Sequence, residues 1–182
     1  SVMLDGSHLP FEENVRITAE TKKLAVQYGA DCEGEIGCVG GSEDGSEDIA
    51  INCTSPAQAL EFYEKTGVDA LAVAIGNAHG NYKQAPKLRF DILEQTAKCV
   101  DAPLVLHGGT GILPDDFRKC ISLGIHKINI ATATFDRVEQ SVRAAYENEK
   151  IKGYYDLHTA EIEGAYKNAL EHIEIFGCAN KA

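Results

Sequence analysis

Pro103-Leu-Val-Leu-His107-Gly108-Gly109-Thr110-Gly111 decides the fold. A short apolar run with no polar alternation reads as a strand buried on both faces, as in a parallel sheet. The histidine at its exit sits on rigid scaffold, and the following glycines let the backbone turn sharply and approach a ligand closely. The same pattern occurs one unit earlier, in Ala70-Leu-Ala-Val-Ala-Ile-Gly-Asn-Ala-His79-Gly80. Two strand-end histidines on successive strands predict imidazoles converging on one site, and the simplest cause of convergence is a metal ion.

Strand and helix alternate along the chain on both sides of this stretch. Strands are expected at Ser1 to Asp5, Asp31 to Ile36, Asp69 to Gly76, Pro103 to His107 and Ile125 to Ala131. Helices are expected from Phe11 to Tyr28, from Pro56 with Ser55 as N-cap, from Phe90 to Val100 and from Pro114 to Leu123. Two long helices follow, Thr134 to Lys150 and Thr159 to Phe176. Repeated βα units imply a parallel sheet with right-handed crossovers. Asp5, Glu35, His79, His107 and Asn129 all fall at or near C-terminal strand ends, where a (β/α)₈ barrel gathers its active site. A doubly wound dinucleotide fold would place Gly-x-Gly-x-x-Gly after the first strand; Asp5-Gly-Ser-His8 stands there instead. No linker divides residues 1–182, so a single domain is expected.

The chain has 182 residues, 44% of them hydrophobic, enough for a globular core. A net charge of -11 argues against nucleic acid or an anionic membrane as partner. The six cysteines form no Cys-x-x-Cys pair and read as reduced thiols of a cytoplasmic protein. No apolar stretch is long enough to span a bilayer and no signal peptide is recognisable.

Several motifs in order resemble one family. Ser1-Val-Met-Leu-Asp5-Gly-Ser-His8 resembles the fourth strand and following loop of class II, metal-dependent ketose-bisphosphate aldolases. Glu33-Gly-Glu35-Ile-Gly37 with Gly40-Gly-Ser-Glu43-Asp-Gly45 resembles the fifth strand and its loop. His79-Gly80, His107-Gly-Gly-Thr-Gly111 and Lys127-Ile-Asn-Ile-Ala-Thr132 match strands six, seven and eight. The resemblance implies a TIM barrel of which this chain supplies strands 4 to 8 and the C-terminal helices. The first three βα units, with one zinc histidine and a catalytic aspartate, would precede Ser1, and residues 1–182 alone would be inactive.

By the same resemblance the activity is reversible cleavage of a fructose or tagatose 1,6-bisphosphate to dihydroxyacetone phosphate and glyceraldehyde 3-phosphate through a zinc-stabilised enediolate. His79 and His107 would ligate Zn²⁺, with Glu35 and Asp5 as outer-shell groups or ligands of an alternative metal position. Glu43 would be the base, carried on a glycine-rich lid. Asn129 would contact the dihydroxyacetone portion, and the backbone near Lys83 would help bind a monovalent cation, Na⁺ or K⁺. Ala131 leans towards the tagatose branch. Gly80, Gly108, Thr110, Gly111, Ala131 and Thr132 offer backbone donors, a hydroxyl and a helix N-terminus for phosphate. A homo-oligomer, dimer or tetramer, is expected of the intact enzyme. Two other functions compete: a Schiff-base aldolase using Lys127, and a non-catalytic half-barrel that binds phosphosugar or a partner chain. Glu33 also points inward by strand alternation but is assigned no role.

Overall fold

The computed structural model describes residues 1–41, 52–80 and 86–181. In chain order the elements are β1 (Val2–Met3), α1 (Phe11–Gln27), β2 (Cys32–Ile36), β3 (Gly40–Gly41), α2 (Pro56–Thr66), β4 (Ala70–Val73), β5 (Ala78–His79), α3 (Phe90–Cys99), β6 (Leu104–Leu106), α4 (Pro114–Ser122), β7 (Ile125–Ile128), α5 (Thr132–Glu147) and α6 (Tyr154–Phe176). Strands β1, β2, β4, β6 and β7 form one sheet in that order, every pairing parallel. The strand order never reverses. With right-handed crossovers such an order puts every connecting helix on one face, whereas a doubly wound sheet reverses at a switch point.

The two faces of β2 show how the sequence divides the layers. Cys32 and Ile36 point to the helix side and are buried with Phe62, Leu71, Val73, Leu93, Leu104, Leu106 and Phe117. Gly34 lies on that side because a Cβ there would sit 2.9 Å from the Phe62 ring. Glu33 and Glu35 alternate to the opposite face. Register then aligns Glu35 with Ala72, Ala72 with Val105 and Val105 with Lys127. The small side chains of Ala70 and Ala72 beside the two glutamates leave lateral room on this polar face.

Several boundaries differ from the sequence expectation, each for a local reason. The strand expected over residues 69–76 stops at Val73. Gly76 takes φ +97° and Asn77 accepts a hydrogen bond from the Ile75 amide, so the chain turns. His79 therefore lies on β5, which pairs in parallel with β3 in a separate two-stranded ladder. The strand from Ile125 ends at Ile128, and α5 begins at Thr132 and ends at Glu147. Helix α6 begins at Tyr154, five residues before the expected Thr159, because Asp156 reaches back to the Lys152 and Gly153 amides at 2.9 and 3.2 Å. Ser55 occupies the N-cap of α2, but its side chain makes no capping hydrogen bond. Helices α5 and α6 pack closely: a Cβ on Gly164 would lie 2.7 Å from Val138 Cα. All six cysteines are free. Among the described residues no helix is long and apolar enough to cross a membrane.

Candidate functional site

The C-terminal ends of the parallel strands surround a cavity of about 410 Å³ lined by Met3, Asp5, Glu35, His79, Gly80, His107, Gly108, Gly109, Thr110, Asn129, Ile130, Ala131 and Thr132. Eight of these residues arrive from the turns after β6 and β7. A slightly larger groove, about 450 Å³, lies between α5 and α6. It gathers charges of both signs and no histidine, so the chemistry points to the smaller cavity.

His107 is the buried centre of the site. Its Nε2 lies 2.8 Å from Glu33 Oε1 and its Nδ1 lies 3.0 Å from Glu35 Oε2. The second contact is close but lacks hydrogen-bond alignment, and Glu35 Oε2 is the one buried side-chain oxygen without a hydrogen bond among the described residues. Burial alone would depress the His107 pKa; the hydrogen bond to Glu33 and the close carboxylate of Glu35 outweigh it and lift the pKa to about 9. Burial likewise pushes Glu33 up, but hydrogen bonds from His107 and Lys127 hold it below the usual carboxylate range. Lys127 Nζ lies 2.9 Å from Glu33 Oε2 and 2.8 Å from Asn129 Oδ1. A charged network thus runs across the polar face from Glu35 on β2 to Asn129 beyond β7.

His79 approaches this network from β5, its ring centre 6.2 Å from that of His107 with the planes tilted by 42°. Asn77 sets that approach. It is fully buried, and its Nδ2 donates to the His107 carbonyl at 2.9 Å while its Oδ1 accepts from Ile75. Gly108 takes φ +60°, and a Cβ there would lie 2.2 Å from the Ala78 carbonyl oxygen. Only glycine lets the turn after β6 lie against β5. Asp5 lines the cavity from the β1 side, and its Oδ1 accepts from the Ser7 amide and hydroxyl at 2.9 and 2.7 Å.

The opposite wall suits an anion. Thr110 Oγ1 accepts from the Ala133 amide at 3.1 Å, which ties the turn after β6 to the first turn of α5. Gly80, Gly108, Thr110, Asn129, Ala131 and Thr132 are brought together beside that helix N-terminus. Gly111 is not: it closes a turn at φ +83° and lines an adjoining groove with Phe117 and His172. Glu43 and Lys83 lie outside the described residues.

Two residues of the site escaped the sequence reading. Glu33 was visible by strand parity, but nothing local connects it to His107. Asn77, in Gly-Asn-Ala, reads as an ordinary turn residue.

The donor set admits a metal in part. Zinc–nitrogen bonds of about 2.0–2.1 Å in tetrahedral geometry would put two ring centres roughly 5 Å apart. The observed 6.2 Å is about 1 Å beyond that. The unpartnered Glu35 oxygen beside His107 Nδ1 is the feature a cation would satisfy. Among the described residues, no three His, Cys, Asp or Glu side chains gather at metal-binding distance. His79 and His107 therefore fit as two ligands of a set, not as a whole one.

The family model for class-II fructose-bisphosphate aldolase matches residues 1–181. The fructose-bisphosphate aldolase of Staphylococcus epidermidis is 40% identical over 185 residues, covering 100% of this chain and 64% of that protein. The sulfofructosephosphate aldolase of Alkalicoccus urumqiensis is 40% identical over 192 residues, again covering 100% of this chain and 64% of that protein. The crystal structure of the YdjI aldolase from Escherichia coli K12 superposes with a TM-score of 0.84 at 37% identity, over 99% of this chain and 62% of that one. The chain thus spans less than two thirds of the length of these relatives. The family match reaches every strand of the sheet and every described residue that lines the cavity, and the chain belongs to the class-II fructose-bisphosphate aldolase family.

Proposed function

We propose that this chain forms strands four to eight and the C-terminal helices of a (β/α)₈ barrel, as one domain over residues 1–182. The whole enzyme is a zinc-dependent aldolase that reversibly cleaves a ketose 1,6-bisphosphate to dihydroxyacetone phosphate and glyceraldehyde 3-phosphate. The observation that carries the reading is the convergence of His79 and His107 on a cavity whose far wall is a glycine turn and a helix N-terminus. One side of the cavity suits a cation and the other a phosphate. The open edges at β1 and β7, with Val2 and Met3 43% and 38% exposed on β1, are where the remaining strands would pair. A third zinc ligand and the catalytic aspartate come from that remaining part, so residues 1–182 alone are inactive. Relatives of equal identity are named for fructose bisphosphate and sulfofructose phosphate. Both names denote phosphorylated fructose derivatives, which supports a ketose phosphate as the shared recognition element. Tagatose bisphosphate is a further candidate substrate, on Ala131.

Zinc, when bound, supplies Lewis-acid polarisation of the substrate ketone. His79 and His107 would hold it, with Glu35 and Asp5 as outer-shell groups or ligands of an alternative metal position. Thr110 and the amides around Gly80, Gly108, Ala131 and Thr132 bind the substrate phosphate, and Asn129 orients the ketose carbons. Glu43 removes the proton from the carbon next to the ketone and returns it in the reverse direction. A monovalent cation, Na⁺ or K⁺, binds near Lys83. The intact enzyme is a cytoplasmic homo-oligomer, dimer or tetramer. Six free cysteines and the exposed Tyr155, Ile162 and Tyr166 on α6 support that reading.

The Schiff-base alternative asks Lys127 for a free amine, yet its Nζ donates to both Glu33 and Asn129. In the full-length protein, chelation should abolish cleavage, added zinc should restore it, and borohydride with substrate should leave Lys127 unmodified. Cleavage that survives chelation, with a trapped Lys127 adduct, would replace the zinc reading. No turnover with zinc present would favour the non-catalytic half-barrel. Glu43→Ala should lower turnover by at least about 10²-fold with little change in ligand affinity.

A further inference from the structure

We infer that Glu33 and Lys127 are positioning residues that commit His107 Nε2 to hydrogen-bond donation and leave Nδ1 as the nitrogen that ligates the cation. This rests on the zinc reading above and assigns work to two residues that the reading leaves idle.

An imidazole has two nitrogens, and the partner of one decides what the other can do. Glu33 Oε1 meets Nε2 at 2.8 Å with proper alignment. Glu33 is not free to swing away. Its side chain is 9% exposed, and its other oxygen is held at 2.9 Å by Lys127 Nζ. Lys127 is steadied in turn by Asn129 Oδ1 at 2.8 Å. On the other side of the ring, Nδ1 faces Glu35 Oε2 at 3.0 Å without a hydrogen bond, and that oxygen has no hydrogen-bond partner among the described residues. One edge of the ring is therefore satisfied and the other is not. A carboxylate that accepts from the far nitrogen fixes the ring's orientation and tautomer and makes the near nitrogen a better donor to a metal.

Lys127 adds a tertiary condition. It stands on β7, 94 residues from Glu33 on β2, and spans the polar face between them. The ring is thus held correctly only when the last strand is docked. Neither Glu33 nor Lys127 lines the cavity, so they act through His107 and not on the substrate.

The test uses the full-length protein. Zinc affinity is measured by competition with a chromogenic chelator, and the His107 nitrogens are followed by ¹⁵N NMR of the zinc-loaded protein. Glu33→Gln keeps the shape and an acceptor but loses the charge; zinc affinity should weaken about 10–100-fold, and the His107 Nε2–H proton signal should move upfield and exchange faster with water as its charged acceptor is lost. Lys127→Met should shift both readouts in the same direction, and Lys127→Arg, which preserves the ion pair, should restore them. Lys127 is half exposed, so its variants carry the test if Glu33→Gln fails to fold. Wild-type zinc affinity and an unchanged His107 signal in Glu33→Gln or Lys127→Met overturn the inference. His79→Ala separates the two layers of the argument. Unchanged zinc affinity in His79→Ala overturns the zinc reading itself, whereas loss there beside wild-type affinity in the other variants overturns only the positioning.

Discussion

Asn77→Ala tests whether the two halves of the site are locked together by one buried amide. The Asn77 side chain is completely buried. It satisfies the Ile75 amide at 2.7 Å and the His107 carbonyl at 2.9 Å. Truncation removes both partners and leaves a buried N–H and a buried C=O without hydrogen bonds. Each such orphan costs about 1–3 kcal/mol, so a loss of about 2–4 kcal/mol is expected. The loss should not be purely global. The same amide joins the segment leading to β5, which carries His79, to the residue that opens the glycine turn. Zinc affinity should therefore fall together with stability. Urea unfolding of the metal-free full-length protein gives the first number, and chelator competition gives the second. Asn77→Asp refines the test, because it keeps the acceptor for Ile75 and loses the donor to His107. Its stability loss should be at least as large as that of Asn77→Ala, since a buried carboxylate would then face a carbonyl oxygen. A loss below about 1 kcal/mol in Asn77→Ala, with unchanged zinc affinity, would refute the reasoning.

Two further outcomes follow from the same geometry. Gly108→Ala adds a Cβ 2.2 Å from the Ala78 carbonyl oxygen at φ +60°, while Gly29→Ala has nearly the same φ, +64°, and nothing within 4 Å. Backbone strain of about 1–2 kcal/mol is common to both, so Gly108→Ala should shift the denaturation midpoint well beyond Gly29→Ala; equal shifts would show that β5 yields without cost. The pH dependence of metal-free stability and of zinc binding should run in opposite directions. His107 is raised in the folded state from 6.5 to about 9, so its contribution is fully present below pH 6.5 and is lost as pH rises through about 9. Zinc must displace that proton, so its affinity should rise about tenfold per pH unit up to about 9, with one proton released per zinc near pH 7. Calorimetry in buffers of different ionisation heat counts that proton, and none released would contradict the protonated His107.

What the sequence determined by itself was whatever neighbours in the chain decide. Apolar runs such as Leu104–Leu106, and proline at helix starts such as Pro56 and Pro114, act over one or two turns, so the βα alternation was readable. The His-Gly pairs at residues 79–80 and 107–108 were readable for the same reason, and so was the order of the family's motifs. Tertiary structure alone decided which groups face one another. The break at Gly76 and Asn77 depends on a carbonyl 30 residues away, and the orientation of His107 on a carboxylate 74 residues away. Glu33 looked idle because its two partners, His107 just after β6 and Lys127 on β7, meet it only across Ala70, Ala72 and Val105. Parity places a side chain on a face, but strand register and the size of the intervening residues determine what it touches.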